Sequence, residues 1–459
     1  MGKDFKKLIS YQKSNKKDAQ VENLLRKSIE FHMKGNIKEA KENYEICLKQ
    51  KLNNPILYSN YSLILRDLGE FEDAEKYIRN AIKLDPKNIS YFYNLGIILK
   101  GIGKLAEAKK TFLKILGINS YHAKTYFALT TLNSKKEKIS WQKNLFREEF
   151  LDKHNNEGKM FLYFARSNIL HNDKNYKQSS IAIRNANKIK RSLQKSNLTE
   201  LINKSDLLKN KYKIYSQLET IVNNPYKFIF IVGMPRCGST LLEAIISMNK
   251  NIYKSGETTF IDESYLEFRK KGEKNMHIFK NIFLGKIKNK LKNSDIILDK
   301  SLYNYQFAGL ISKLIPNALI IHIVRNPLDN ILSIYRTNFA NGNQYTSSLE
   351  DIVKVYLDHD QKMDFYKNSV RNIIEINYDL LVKNPEKEIR NLIENLKWEW
   401  DDIYLNQQKN KRAFLTASNV QIRSPIYTSS INGWINYRDE LDYPIKIIKK
   451  IKKFKYIFN

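Results

Sequence analysis

The chain has 459 residues, 79 of them Lys or Arg against 48 Asp or Glu, for a formal charge of +31 at neutral pH. That length allows two or three domains with substantial cores, and the two cysteines, Cys47 and Cys237, speak against a disulfide framework or a thiolate zinc site and point to a reducing compartment. Such an excess fits nucleic acid, an anionic membrane or acidic ligands and substrates, but the sequence is crowded throughout with Lys, Asn and Ile, which reads as biased residue usage spread over the surface, and without an arginine-rich arm or zinc-finger spacing a nucleic-acid partner is not expected.

Residues 1–20 are a polar, lysine-rich lead-in. The opening MGKDFKKLISYQKSNKK lacks an apolar signal core, no later run approaches a membrane span, and Lys6 sits where a myristoylation signal wants Ser or Thr. A soluble, cytoplasmic protein is expected. A repeat then begins. Gly35, Gly69 and Gly103 keep a 34-residue step, as do Ala40, Ala74 and Ala108 and the apolar trio Tyr44, Ile78 and Phe112. This is the tetratricopeptide period. Each unit reads as a helix hairpin with Gly at the turn and Ala where the helices approach, and Asp85-Pro86 ends one helix. Three units cover Val21 to His122. More degenerate helical sequence continues as a cap to Arg191, so 21–191 is assigned to the repeats and cap, and 192–224 to a helical connector.

The second domain, 225–459, opens on the stretch around which the chain is organised. Phe228 to Val232 reads as a buried strand that breaks at Gly233 into a loop ending at Gly238, with a helix from Ser239 and Thr240. Strand, glycine-bounded loop and helix start gather backbone N–H groups and a positive helix end at one point, a site for phosphate or sulfate. The loop nearly matches G-x-x-x-x-G-K-[ST] but lacks its lysine, which counts against ATP chemistry; Arg236 supplies a different cation. Further strands are expected at Asp295 to Leu298, Ala318 to Val324 and Asn372 to Ile376, alternating with helices as in a parallel α/β sheet. Polar groups follow them where such sheets bind ligands: Glu257 beyond the first helix, Asp299-Lys300, Arg325-Asn326-Pro327 with Ser333 further on, and Asn377-Tyr378.

These motifs together resemble the tetratricopeptide-repeat sulfotransferases, whose catalytic domain is similar to that of tyrosylprotein sulfotransferases. The resemblance rests on the repeats, on FLYFARSNILHNDKNYKQSSIAIRNANKIKR, and on GMPRCGSTLLE, GET, DKSLYN, IHIVRNPLDNILSIY, INYDLLVKNPE and QIRSPIYTSSINGWINY. It implies a multidomain α plus α/β architecture, a tetratricopeptide solenoid followed by a P-loop-like parallel-sheet sulfotransferase domain. It also implies 3′-phosphoadenosine 5′-phosphosulfate (PAPS) as co-substrate, with no metal. By the same resemblance Arg236, Cys237, Gly238, Ser239 and Thr240 would grip the 5′-phosphosulfate, Arg325 and Ser333 the 3′-phosphate, and Tyr378 the adenosine bisphosphate. Glu257 matches the general base and Lys300 the cation of the transition state. The segment Ser430 to Tyr437, around Trp434, corresponds to a loop closing over the nucleotide. Cys237 stands where Ser is usual. Ser430 is the candidate for the family's late-loop serine, because Asn432 holds the equivalent spacing, and a second 3′-phosphate arginine is shifted, with Thr337 at its step and Arg336 beside it.

Charge gives the chemistry. In-line sulfuryl transfer builds negative charge on the bridging oxygen, which Lys300 and Arg236 can stabilise, and a carboxylate such as Glu257, made more basic by desolvation in a closed site, can take the acceptor proton. His322 lies within an apolar strand and reads as a packed core residue. The acceptor is a hydroxyl compound, with a tyrosine in a protein or peptide, a glycan, a lipid and a small molecule all open, and the repeats suit docking of a protein or peptide. The alternative is a tetratricopeptide interaction scaffold with an inactive nucleotide-binding fold. A P-loop kinase is disfavoured by the absent lysine. The sequence does not give the oligomeric state.

Overall fold

The structure, a computed structural model, describes residues 16–132, 140–215, 227–272, 276–288, 296–315, 317–339, 342–410, 412–414, 416 and 418–458. It divides into two compact units, 1–132 with 411–415, and 133–410 with 416–459.

The first unit is built from helix hairpins: α1 (Lys16–Met33) with α2 (Ile37–Lys49), α3 (Pro55–Asp67) with α4 (Phe71–Leu84), and α5 (Ile89–Gly101) with α6 (Leu105–Ile118), followed by α7 (Ala123–Thr130). The same turn joins each pair. Gly69 has φ +82°, its N–H reaches Arg66 O, and the next N–H, of Glu70, reaches back to Leu65 O at 2.8 Å. This left-handed helix stop admits glycine at little cost, and it recurs at Gly35 and Gly103. Ala40, Ala74, Ala108, Tyr44, Ile78 and Phe112 are all fully buried, as the repeat spacing requires. Asn54 caps α3 by accepting from the N–H of Ile56 and Leu57, with Pro55 in the first turn, a start worth about 1 kcal/mol.

The second unit begins with α8 (Ser140–Leu145), α9 (Glu148–Asp152), α10 (Asn156–Asn172), α11 (Tyr176–Leu193) and α12 (Leu198–Tyr215). The helices assigned from sequence to a repeat cap therefore cluster with the second unit, and the division falls at residue 132 rather than 191. Helix α12 is likewise part of this domain and more than a connector. Leu208 and Tyr212, one turn apart, are buried in its core, and the Tyr212 ring lies where a Cβ on Gly309 would come within 2.5 Å.

The sheet follows: β1 (Phe228–Gly233), α13 (Ser239–Ile246), β2 (Ile252–Gly256), α14 (Phe260–Lys270), α15 (Met276–Ile287), β3 (Ile296–Asp299), α16 (Ala308–Leu314), β4 (Ala318–Val324), α17 (Pro327–Tyr335), α18 (Leu349–Ser369) and β5 (Ile373–Asn377), then α19 (Tyr378–Lys383), α20 (Pro385–Asn395) and α21 (Asp442–Ile448). Its five strands run parallel in the order β2-β3-β1-β4-β5. Asp295, expected to open a strand, lies outside the described residues, and β2 was not expected at all. β1 explains its own continuous apolar sequence. Phe228, Phe230 and Val232 pack on one face with Phe283, Leu310 and Met363, while Ile229 and Ile231 pack on the other with Leu242, Ile321 and Leu392. A strand covered on both faces has no polar side, and each such side chain contributes about 1.5–3 kcal/mol by leaving water. Among the described residues no helix is long and apolar enough to cross a membrane.

Candidate functional site

β1 ends at Gly233, and the chain turns through Met234 to Gly238 before α13 begins. Two residues take left-handed backbone, Arg236 at φ +66° and Gly238 at φ +103°. Gly238 needs glycine twice over, because a Cβ there would also sit 2.1 Å from the Tyr378 ring. Cys237 turns inward. It is buried, its thiol is pushed up to about 11 chiefly by that burial, and its N–H is taken by Met234 O at 3.3 Å. The loop face is left to Gly238, Ser239 and Thr240 at the start of α13, with Thr240 Oγ1 donating to Thr416 Oγ1 at 3.2 Å.

Two guanidinium groups converge on this loop. Arg236 donates from Nε to Ser333 Oγ at 3.1 Å, from Nη2 to Gln421 Oε1 at 3.4 Å, and from Nη1 to Ser418 Oγ. Arg325, just after β4, donates to Arg236 O at 3.1 Å and to Ser430 O at 2.7 Å, and stands 4.8 Å from the Tyr378 ring centre. Its Nε is buried with no hydrogen-bond partner among the described residues. Burial and the nearby Arg325 charge lower Arg236 to about 10, which leaves it protonated at neutral pH. Among the described residues neither guanidinium is paired with a carboxylate; uncharged acceptors hold both. With Gly238, Thr240, Tyr378, Gln407 and Tyr427 they line a recess that is partly open to solvent.

The neighbouring end of the sheet carries the opposite arrangement. Lys300 follows β3, and its N–H bonds to Gly256 O at the end of β2. Its ammonium is 1% exposed and lies 2.8 Å from Glu257 Oε1 and 3.3 Å from Glu243 Oε2. Burial alone would lower this lysine, but the two carboxylates outweigh it and hold the group above the ordinary lysine range. The Glu257 side chain is 56% exposed, so the desolvation expected for it is not present in this structure. The two residues are held in register by Asp299, which accepts from Thr258 Oγ1 at 2.5 Å, Ser301 N at 2.8 Å and Asn304 Nδ2 at 3.1 Å. Burial raises the Asp299 carboxyl to about 6 against those bonds.

Not every predicted residue joins the recess. Ser430 accepts Arg325 through its carbonyl and meets Tyr378 OH through its hydroxyl at 3.1 Å. Two serine hydroxyls meet Arg236, those of Ser333 and Ser418, and the second is one that sequence reasoning passed over. Trp434 lies below the late loop, packed on Phe458 with Arg438 above it, and does not line the recess. The loop is tied down by Asp329, whose oxygens accept from Asn432 N at 2.7 Å and Trp434 N at 2.9 Å. Arg336 is occupied elsewhere, donating to His171 Nε2 at 3.2 Å. His322 is buried, 3.1 Å from His359 and 3.3 Å from Glu375. Glu243 was also missed, and Asp299, picked out from sequence only as the neighbour of Lys300, was given no role. Their signal was a carboxylate inside the otherwise uncharged helix STLLEAII, and one ending the apolar strand IILD.

Fold and loop define a P-loop-like parallel α/β domain whose loop carries Arg236 within it and has Ser239 at the position of the nucleotide-binding lysine. Residues 229–402 match the family described as "Sulfotransferase family", and residues 55–88 and 89–122 match "Tetratricopeptide repeat". A stretch that matches tetratricopeptide repeats thus precedes, in one chain, a stretch that matches the sulfotransferase family. An uncharacterized protein of Aquifex aeolicus is 32% identical over 247 residues, 48% of this chain and 32% of that one. Protein-tyrosine sulfotransferase A of Caenorhabditis elegans is 24% identical over 242 residues, 46% of this chain and 62% of that one. The matched stretch therefore spans a third to three-fifths of these curated relatives. Among solved structures, the sulfotransferase domain of a Synechococcus olefin synthase aligns with a TM-score of 0.35 and 19% identity, covering 46% of this chain and 88% of that one.

Proposed function

We propose that this protein is a sulfotransferase that moves a sulfuryl group from PAPS to an acceptor hydroxyl. The observation that carries the reading is the pair of guanidinium groups, Arg236 and Arg325, converging on a glycine loop and hydrogen-bonded, among the described residues, to uncharged acceptors. Cations left without carboxylates at the positive end of a helix suit a polyanion. The donor fits the residues present. The buried Nε of Arg325, without a hydrogen-bond partner among the described residues, offers a donor to a phosphate oxygen. Arg236, Gly238, Ser239 and Thr240 would hold the 5′ end, Arg325 and Ser333 the 3′-phosphate, and Tyr378 the nucleoside. When bound, PAPS supplies the sulfuryl group.

The rest is done by this chain's own side chains. Lys300, buried between its two carboxylates, would stabilise the oxygen on which negative charge grows, and Arg236, with Ser418 held against it, would share that role. Glu257 takes the acceptor's proton; it is exposed here, so an acceptor that covers it would raise its basicity. A protein or peptide tyrosine flanked by acidic residues is the acceptor best supported. The chain is strongly basic, it bears repeats of a docking type, and the C. elegans relative is a protein-tyrosine sulfotransferase. The test is transfer of sulfur-35 from labelled PAPS to a synthetic acidic tyrosine peptide, with Glu257→Gln in parallel. Label on the peptide that depends on Glu257 supports the proposal; no transfer to peptide, glycan or small phenol by a protein that folds would return the chain to the scaffold reading.

A further inference from the structure

Helix α13 carries a carboxylate in a costly place. Glu243, at the start of its second turn, is 1% exposed, with Oε2 3.3 Å from Lys300 Nζ and Oε1 3.6 Å from Lys254 Nζ on β2. The other residues of the helix, STLLEAII, are uncharged. A carboxylate this deep is tolerated only when cations compensate it.

Its neighbour on Lys300 differs in kind. Glu257 lies closer, at 2.8 Å, yet its side chain is 56% exposed. Under the sulfotransferase reading, on which this inference rests, Glu257 accepts the acceptor's proton during transfer, becomes neutral, and Lys300 loses one of its two counter-charges. A buried lysine without a counter-ion tends to shed its own proton, and a neutral amine cannot stabilise the charge growing on the leaving oxygen. Glu243 is sealed from solvent and held by Lys254 as well. The charged groups around Lys300 are Glu243 from α13, Glu257 from the turn after β2, and Lys254 beyond Glu243; Asp299, next to Lys300 in the chain, is turned to Thr258, Ser301 and Asn304.

We propose that Glu243 is a positioning residue, a second and constant counter-ion that keeps the Lys300 ammonium charged and in place while Glu257 changes its protonation. The test reads Lys300 directly. In the full chain carrying nitrogen-15 lysine, the Lys300 ammonium signal is assigned by its disappearance in K300R and titrated in the wild type, E243Q and E243D. Binding of 3′-phosphoadenosine 5′-phosphate (PAP) is measured on the same samples.

The expected result is a Lys300 midpoint lowered by about one pH unit or more in E243Q and by less in E243D, with PAP affinity within about twofold of wild type. A Lys300 midpoint unchanged in E243Q overturns the proposal. So does a lowered midpoint accompanied by an equal loss of PAP affinity, which would make Glu243 a structural support of the loop. Should E243Q not fold, E243D decides alone, and an unchanged midpoint there overturns the proposal equally. Failure of the wild type to bind PAP overturns the sulfotransferase reading instead, because the Lys300 titration needs no ligand.

Discussion

The two flanks of the loop treat their cations in opposite ways. On the β4 side Arg236 and Arg325 are held by hydroxyls, an amide and backbone carbonyls. On the β3 side Lys300 is sealed between two carboxylates. A cation that must capture a dianion from water gains from having no competing anion beside it. A cation that acts only as charge develops can be stored neutralised, provided one of its partners gives up its charge at the right moment. The contrast separates binding from chemistry along one sheet edge.

The largest effect expected comes from breaking the chemical flank. Lys300→Met should lower turnover about 10²–10³-fold, the range for losing one preorganised donor, and leave PAP affinity nearly unchanged; a parallel loss of affinity in calorimetry would show that the flanks do not divide the work. Breaking the binding flank comes next. Arg325→Ala removes charge-assisted hydrogen bonds worth about 1.5–3 kcal/mol each, so PAP affinity should fall about 10–100-fold, with a smaller change in turnover at saturating PAPS.

Gly238→Ala sharpens the boundary between the flanks. With φ at +103° and the Tyr378 ring in the way of a Cβ, it should destabilise the second unit by about 1–3 kcal/mol, read as a lower melting temperature of that transition. The smallest effect concerns a third arginine. His171 accepts from Arg336, and burial together with that charge lowers it to about 3 from 6.5. The unfolded chain binds a proton there that the folded chain refuses, so the stability contributed is present above pH 6.5 and is lost as pH falls from 6.5 toward 3. Melting curves between pH 7 and pH 5 should show that decline, and His171→Gln should flatten part of it.

Much of this was legible in the residues. The 34-residue step announced the hairpins because the left-handed turn at Gly35, Gly69 and Gly103 recurs with it, and the unbroken apolar run of β1 announced a strand buried on both faces. β2 was hidden because IYKSG has one fully buried residue, Ile252, and reads as polar loop. That omission also hid the meeting of Glu257 with Lys300, 43 residues apart, which depends on β2 lying beside β3. Ser418 escaped for a similar reason. Its contact with Arg236 spans 182 residues, and no local spacing encodes it. Helices α10 and α11 have the amphipathic pattern of a repeat cap, yet Asn187 reaches Tyr335 O and Lys190 reaches Phe339 O, bonds within the second unit that composition cannot foretell.

In the function proposed, the loop and Arg325 form a site for a nucleotide bearing a 3′-phosphate. Calorimetric titration of the full chain with PAP, with adenosine 5′-phosphate and ATP alongside, tests it most directly. PAP should bind tightly, and its binding should weaken sharply when the 3′-phosphate is absent or Arg325 is replaced by Ala. Equal binding of PAP and ATP, or no binding of PAP by a folded protein, would contradict it.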